Sequence, residues 1–444
     1  MTPTRTTHVR YVVVLMLFIA STFSYGDRVV LSIAAADISR DLQLDALHLG
    51  YLFSGFGWAY AAAQLPAGSL LDRFGSKRVY GISILGWACW AILSGFTGYL
   101  SAPAAFYVLF VLRLLSGFAQ SPVFPGNGRI VAAWCPTAER GRASAIFNSS
   151  QYFSLVLFAP LMGWIGHVMG WNWCFWFAGL IALALGVVWF RVIYGVKTHP
   201  HISPFEIELI ERGGGLVSLD GSNQPRANTL TWPVVRWLLG TRMLLGIYLG
   251  QYCITTLTWF FLTWFPIYLS QTRHLSIVKT GLLTAVPALS GFAGGILGGM
   301  ASDRLLKVGY SLTFARKVPI VAGMLLAVTM VACNYVNGEM GVTVLMSLAF
   351  FGKGFGALGW TVISDTSPRG LVGVNGGMFN LIGNLAGITT PIVIGVIVKN
   401  TGSFSFALVF VAATALMAIV AYLPIVGEIR RLECPANLLP ASAR

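Results

Sequence analysis

The sequence contains few charged residues: Asp, Glu, Lys and Arg make up only 10% of its 444 positions. Hydrophobic residues account for 56%, and the mean hydropathy is +0.75. A soluble domain cannot expose this composition to water, so the soluble classes of protein are excluded. The chain is therefore expected to be an integral membrane protein.

Patterned cysteine and histidine are also missing. The six cysteines are scattered along the chain: Cys89, Cys135, Cys174, Cys253, Cys333 and Cys434. They form no CxxC pair, which argues against a disulfide framework and against a cysteine-bound metal. The six histidines lie mostly near loops, and no Ser/His/Asp set, HExxH motif or phosphate-binding loop is convincing. We expect no enzyme activity, no metal site and no organic cofactor.

Twelve apolar stretches are long enough to cross about 30 Å of hydrocarbon. They lie near residues 11–36, 47–70, 79–99, 104–127, 142–168, 172–195, 242–270, 278–301, 317–337, 340–363, 371–398 and 404–427. Most of the 29 Lys and Arg residues fall in the tails and in the loops that follow even-numbered spans. This bias predicts that both termini are cytoplasmic. It also explains the net charge of +14 without nucleic acid binding.

One polar segment that contains Gly and Pro, residues 196–240, is long enough to be a linker. It predicts an N-terminal six-helix half over 1–195 and a C-terminal six-helix half over 241–430. The cytoplasmic linker would join these halves, and residues 431–444 would form a cytoplasmic tail.

Three pairs of positions match between the halves at nearly one offset along the chain. The pairs are Asp72 with Asp303, Pro160 with Pro391, and GRASAIFN (141–148) with GVNGGMFN (373–380). Such agreement is expected of a duplicated six-helix unit. The sequence thus predicts an all-α membrane protein with twelve transmembrane helices in two pseudo-symmetric halves.

Asp27 and Arg28 stand next to each other in the first span, where a lipid-facing helix carries no charge. A charge at bilayer depth costs roughly 2.5 kcal/mol or more, so it usually faces a bundle interior and carries function. Arg113 lies in the middle of the fourth span, and Gln120 follows two helical turns later on nearly the same face. Two guanidinium groups against one carboxylate favour an anion site. The alternative is that each arginine only pairs with Asp27 or caps a carbonyl.

Several motifs resemble those of one transporter family. The loop GSLLDRFGSKR after the second span resembles a signature of the major facilitator superfamily, and the resemblance covers the whole chain. YGDR (25–28), GWAY (57–60), RLLSGFAQSPVFPGN (113–127) and FFGKGFGALGW (350–360) resemble its anion:cation symporter branch, in particular bacterial D-glucarate and D-galactonate transporters. The resemblance implies the major facilitator fold, the bacterial inner membrane, and proton-coupled import of a hexuronate-type sugar acid by a monomer.

The resemblance also assigns a set of residues to the sugar acid. The residues that match substrate-lining positions are Tyr25, Tyr60, Gln151, Gln251, Trp360 and Asn380. Polar and aromatic side chains suit a polyol, which presents both hydroxyl edges and C–H surface. Gln64, Thr255 and Asn384 are added from helical spacing alone, and packing between helices explains them at least as well.

Lys353 favours a dicarboxylate. It lies seven residues before Trp360 in the tenth span, so the two side chains are predicted to share a helical face. With Arg28 and Arg113 on one carboxylate, Lys353 would bind the other, which favours glucarate or galactarate over galactonate. The glycines on either side of it would let a ligand or a helix approach closely. The alternative is a lysine that reaches toward the interface or stabilises a gate.

Gln120 departs from the family pattern, which usually has a glutamate that takes part in proton coupling at this position. An amide does not titrate, so Asp27 remains as the obvious titratable carboxylate in the first half. Asp27 is therefore the predicted proton carrier: ionised, it competes for Arg28, and protonated, it frees that cation for substrate. The sequence leaves open whether Gln120 is natural or engineered.

The loops after the second and eighth spans are predicted to latch the cytoplasmic side. Their charged residues are Asp72, Arg73 and Arg78 in one half and Asp303, Arg304 and Arg316 in the other. Setting the membrane topology is the simpler role for these charges.

The predicted function is a symporter with protons as the coupling ion. The alternative is an organic anion exchanger without proton coupling, which would need the same buried arginines.

Overall fold

The structure is a computed structural model that describes residues 7–136, 139–219, 231–368 and 371–433. Every regular element in these ranges is a helix. The chain divides into two compact units: residues 1–44 with 55–224, and residues 45–54 with 225–444.

The first unit contains the helices α1 to α8, although the first turns of α2 belong to the second unit. The bounds are α1 Val9–Asp41, α2 Ala46–Phe74, α3 Ser76–Gly95, α4 Ala102–Gln120, α5 Val123–Trp134, α6 Arg140–Met169, α7 Trp171–Val192 and α8 Pro204–Arg212. α1 packs along α6 and α7, and α3 packs along α7 and α4.

The second unit contains the helices α9 to α18. The bounds are α9 Trp232–Gly240, α10 Arg242–Trp259, α11 Phe265–Ile267, α12 Ile277–Lys307, α13 Leu312–Val328, α14 Glu339–Phe355, α15 Gly359–Thr366, α16 Val372–Asn384, α17 Ala386–Thr401 and α18 Ser405–Val420. π-helical turns join α10 to α11 and follow α11. α14 packs between α12 and α13, and α10 packs along α16 and α18.

The predicted helical membrane architecture is confirmed. Eleven helical stretches among the described residues are long and apolar enough to cross a membrane. α2, with 29 residues, occupies the remaining predicted span. The predicted linker contains α8 and α9 in its described part, while residues 220–230 and the tail beyond residue 433 lie outside the described residues.

The fourth span of each unit is interrupted. α4 ends at Gln120, two residues before Pro122, which lacks an N–H group and whose ring clashes with the preceding helical turn. In the second unit α14 ends at Phe355, and α15 begins only at Gly359. Helix ends leave carbonyl groups without helical partners, which favours polar and cationic side chains there. Gln120 is the last residue of α4 and Lys353 lies in the last turn of α14, so both candidate residues lie at an interruption.

Glycines let α14 pack with its backbone against two neighbours. A Cβ added to Gly354 would overlap the carbonyl oxygen of Gly291 on α12. One added to Gly352 would overlap the carbonyl oxygen of Gly323 on α13. Helices therefore occupy the space beside the two glycines that flank Lys353. Of the two predicted uses of these glycines, close approach of a ligand or of a helix, the structure shows the approach of helices.

A similar contact in the first unit gives a test of the packing. A Cβ on Gly117 of α4 would overlap the carbonyl oxygen of Phe56 on α2, whereas one on Gly128 of α5 would meet nothing within 4 Å. Because overpacking costs about 1–3 kcal/mol, we expect Gly117→Ala to lower the midpoint of thermal unfolding in detergent. Gly128→Ala is the matched control and should preserve or raise the midpoint, since alanine favours a helix. Equal midpoints for the two variants would contradict the close approach of α2 and α4.

The linker helix α8 is bound to the start of α1. The Glu206 carboxylate accepts hydrogen bonds from two backbone N–H groups of α1 at 3.1 and 3.2 Å. The Glu206 carboxylate also forms an ion pair with Arg10 at 3.1 Å. Arg10 forms a second ion pair, with Glu139, at 2.9 Å. A carboxylate at a helix N-terminus is favoured by the helix dipole. α8 thus fixes the start of the helix that carries Asp27 and Arg28.

The start of α2 is joined to α17 by an ion pair within the second unit. Asp45 lies 3.0 Å from Nζ of Lys399, and its carboxylate accepts a hydrogen bond from the backbone N–H of His48 at 2.9 Å. Partial burial disfavours the carboxylate charge, but the hydrogen bonds from His48 and Lys399 outweigh it and lower the pKa of Asp45 to about 2. The carboxylate of Asp45 therefore remains ionised at neutral pH.

Candidate functional site

Four polar side chains of α1 and α4 are buried in the first unit. Asp27 is 4% exposed, Arg28 6%, Arg113 3% and Gln120 0%. The structure brings both arginines to the ring of Phe56 on α2, with Cζ of Arg28 at 4.3 Å and Cζ of Arg113 at 5.7 Å from its centroid. Buried charges need partners or a function, so this cluster is the candidate site of the first unit.

Asp27 is held from α4. Its Oδ2 accepts hydrogen bonds from Nη1 of Arg113 at 3.3 Å and from Nε2 of Gln120 at 2.9 Å. The hydroxyl of Ser24 in turn donates to Oε1 of Gln120 at 2.8 Å. The sequence predicted that ionised Asp27 competes for Arg28, with pairing of either arginine to Asp27 as the alternative. The structure describes an ion pair between Asp27 and Arg113. Neighbouring residues on a helix point about 100° apart, so adjacency in the sequence does not single out Arg28 as the partner.

Arg28 lies against aromatic rings. Its Cζ is 4.6 Å from the ring centroid of Tyr25, 4.3 Å from that of Phe56 and 5.3 Å from that of Tyr60. Cations within about 6 Å of an aromatic centroid are attracted by the electron-rich face. Tyr25 and Tyr60 were predicted site residues, whereas the sequence analysis missed Phe56. An apolar residue in an apolar span gives no signal that it contacts a cation.

Oδ1 of Asp27 and Nε of Arg113 are among the buried atoms of this cluster that have no hydrogen-bond partner within the described part of the chain. A buried polar atom without a partner is costly, so such atoms indicate a missing water, proton or ligand. An open carboxylate oxygen suits a proton, and an open guanidinium donor suits an anion.

The other predicted residues of the first unit lie on neighbouring helices. Gln151 lies on α6, which packs along α1, and it donates to the carbonyl oxygen of Asn148 at 3.2 Å. Gln64 lies on α2, and its Nε2 is buried without a hydrogen-bond partner in the described ranges. Both amides therefore lie on helices that surround the arginine cluster.

In the second unit, Gln251 of α10 lies beside two helices. Its Nε2 donates to Oγ1 of Thr255 at 3.3 Å. A Cβ on Gly359 at the start of α15 would lie 2.5 Å from Oε1 of Gln251, and one on Gly383 of α16 would lie 2.8 Å from its Cγ. Glycine at both positions thus leaves room for this amide.

Trp360 and Asn380 complete the predicted residues on α15 and α16. The ring of Trp360 packs edge-on against Phe379 with centroids 5.0 Å apart. Asn384 donates to Oδ1 of Asn380 at 3.0 Å, as expected for residues one helical turn apart. An aromatic face and amide groups are thus available on neighbouring helices of this unit.

The prediction that Lys353 and Trp360 share a helical face depends on a continuous helix, which the structure does not have here. Seven residues place two side chains on one face only when the helix is continuous, and here it is interrupted between α14 and α15. Lys353 is 3% exposed, with Nζ 5.5 Å from the ring centroid of Phe350, whereas Trp360 is 44% exposed. The buried lysine places its amino group at the end of α14.

The predicted gating residues differ in their surroundings. Asp303 lies 3.6 Å from Arg316, which also pairs with Asp365 at 2.8 Å. In the first unit Arg73 is exposed and lies over the ring of Phe74 at 5.2 Å. Arg78 and Arg304 are exposed, and the side chain of Asp72 lies outside the described residues.

Comparison with known proteins places these features in one family. The family described as Major Facilitator Superfamily matches residues 17–391. A probable galactarate/D-glucarate transporter of Bacillus subtilis is 54% identical over 96% of this chain and 94% of its own length. A second probable galactarate/D-glucarate transporter, from Escherichia coli K12, is 51% identical over 96% of this chain and 95% of its own length. The D-galactonate transporter of another Escherichia coli strain is 38% identical over 95% and 97%.

Solved structures show the same fold at low sequence identity. A bacterial homologue of the human lysosomal transporter Spinster, in an inward-facing and unoccupied conformation, has a TM-score of 0.71 and 14% identity over 94% of this chain and 97% of its own. A D-xylose-proton symporter has the same TM-score and identity over 94% and 98%. Together with the family match, these similarities confirm the predicted major facilitator fold of a multi-pass membrane transporter.

Proposed function

The chain belongs to the Major Facilitator Superfamily, a family of transporters and not of enzymes, and on this basis we propose that it is a proton-coupled symporter for a sugar acid. Glucarate and galactarate are the favoured substrates, and galactonate is next. Two relatives named for galactarate and D-glucarate are 54% and 51% identical to this chain, against 38% for the one named for D-galactonate. This difference supports a dicarboxylate as the substrate.

The ion pair between Asp27 and Arg113 carries the proposal. While Asp27 is ionised, it neutralises Arg113 at 3.3 Å. When Asp27 takes a proton, Arg113 becomes a buried cation without its counterion, which is costly until an anion replaces the lost charge. A substrate carboxylate supplies that charge, so proton and substrate favour each other's binding. The amide of Gln120 donates a hydrogen bond to the ionised Asp27. It does not titrate, so it is not a proton carrier.

Other groups of both units suit the sugar hydroxyls. The proposed hydroxyl and ring contacts are Tyr25, Tyr60, Gln151, Gln251, Trp360 and Asn380. Stacking on aromatic rings uses the flat face of the Arg28 guanidinium, whereas a carboxylate binds at its N–H edge. We further propose alternating access by a monomer in a bacterial inner membrane, with both termini cytoplasmic and protons as the coupling ion.

Lys353→Ala tests the preference for a dicarboxylate. A hydrogen bond to a charged group contributes about 1.5–3 kcal/mol, so we expect glucarate uptake to fall about tenfold or more. Galactonate has a single carboxylate and should be affected little. The measurement is the initial rate of uptake of each labelled acid into proteoliposomes. Undiminished glucarate uptake would contradict the role, and equal losses for both acids would assign Lys353 to gating.

Proteoliposomes with an imposed pH gradient, acidic outside, test the function itself. We expect accumulation of glucarate, galactarate or galactonate that a protonophore abolishes. The anion exchanger predicts the opposite result, uptake that survives the protonophore and requires an internal counter-anion. Absence of uptake under both conditions would contradict a transporter of these acids.

A further inference from the structure

We propose that Phe56 is a positioning residue, which holds the guanidinium groups of Arg28 and Arg113 in place for the substrate carboxylate. This inference rests on the proposed transport of a sugar acid and assigns a specific role in it to a side chain without any polar atom. Phe56 is 1% exposed and lies on α2, between the helices that carry the two arginines in sequence.

The ring of Phe56 is shared by two cations. Cζ of Arg28 lies 4.3 Å and Cζ of Arg113 lies 5.7 Å from its centroid. Both distances are shorter than the limit of about 6 Å within which an aromatic face attracts a cation. Arg28 comes from α1 and Arg113 from α4, so the Phe56 ring connects side chains that the backbone does not hold together.

The position of the ring is fixed by its surroundings. Gly117 of α4 has no side chain, which lets the carbonyl oxygen of Phe56 lie against that helix. On the other side, the Phe56 ring stacks on the ring of Tyr60 at 5.4 Å with an interplanar angle of 22°. Packing thus holds both the backbone and the ring of Phe56.

Two buried guanidinium groups repel each other, and one carboxylate compensates only one positive charge. The negative face of the Phe56 ring lowers the cost of keeping both cations close without adding a carboxylate that would repel the substrate. An acidic side chain at this position would neutralise the arginines and compete with the anion. An aromatic ring stabilises the two charges and adds no acceptor oxygen that would compete for their N–H groups.

A fluorination series at Phe56 tests this role. Fluorine withdraws electron density from the ring face while changing the ring size little, so attraction to cations decreases with each added fluorine. We expect mono-, di- and trifluorinated phenylalanine at position 56 to raise the Kd of purified protein for glucarate stepwise, to about tenfold. The melting temperature without ligand should fall in the same order. Phe110 is the matched control position, since it packs against Gly55 and Phe106.

The two measurements separate the inference from the proposed function. If the Phe56 series leaves both Kd and melting temperature unchanged, or if the Phe110 series changes them equally, the positioning role is wrong. A fall in melting temperature with constant Kd would likewise overturn it. If the unmodified protein binds neither glucarate nor galactarate, the proposed function fails, and the ligand-free melting series alone decides whether the ring supports the arginines. Phe56→Leu, which keeps an apolar side chain but has no aromatic ring, should lose binding.

Discussion

Arg113→Gln is expected to abolish measurable sugar acid uptake and to destabilise the protein. The substitution leaves the carboxylate of Asp27 buried at 4% exposure without its cation. Removing one partner of a buried ion pair typically costs about 3–5 kcal/mol, so the midpoint of thermal unfolding should fall markedly. The substrate also loses the cation that protonation of Asp27 makes available. Uptake into proteoliposomes and thermal unfolding in detergent measure the two effects.

A double variant separates stability from transport. Asp27→Asn combined with Arg113→Gln removes both charges and leaves two amides, so most of the lost stability should return. Uptake should remain absent, because neither the proton carrier nor the cation is present. Recovery of transport in the double variant would contradict the assignment of this pair to the substrate. Failure to recover stability would show that the pair is not what Arg113→Gln disrupts.

Gln120→Glu is expected to shift uptake to lower pH and to reduce the rate severalfold at neutral pH. Nε2 of Gln120 lies 2.9 Å from Oδ2 of Asp27, so the substitution places two carboxyl groups in direct contact. Two carboxylates at this distance do not both ionise readily and share one proton. The shared proton leaves one negative charge beside Arg113, so Arg113 becomes available only when both carboxyl groups are protonated, which requires a lower pH. The pH profile of initial uptake rates measures the change.

The same substitution in an Asp27→Asn background is its control. With an amide at position 27, the carboxyl group introduced at position 120 has no second carboxyl group with which to share a proton. The shift to lower pH should therefore disappear. An identical pH profile for Gln120→Glu in both backgrounds would show that the effect does not pass through Asp27.

Much of the fold was predictable because crossing a membrane places a simple demand on sequence. Each span must be apolar over about 20 residues, and a charge within it needs a reason. Asp27, Arg28, Arg113 and Lys353 were therefore recognisable as candidate residues, and all four are buried. The assignment of the sugar acid came from family resemblance, since hydropathy does not distinguish one anion from another.

What the sequence did not reveal depends on contacts between helices. The pairing of Asp27 with Arg113 is set by how α1 packs relative to α4, and no spacing along one helix encodes it. The spacing between Lys353 and Trp360 does not define a shared helical face, because a short non-helical segment follows Phe355. Phe56 was missed because it contacts the two arginines through the face of its ring, while its residue type is ordinary in an apolar span.

Proton movement driven by the substrate alone tests the central claim most directly. Glucarate is added to proteoliposomes in a weakly buffered medium without any imposed gradient, and the external pH is followed. Coupling through Asp27 and Arg113 predicts alkalinisation of the medium on addition of glucarate, and no pH change for Asp27→Asn. Entry of labelled glucarate into wild-type vesicles with no change in external pH would contradict proton symport.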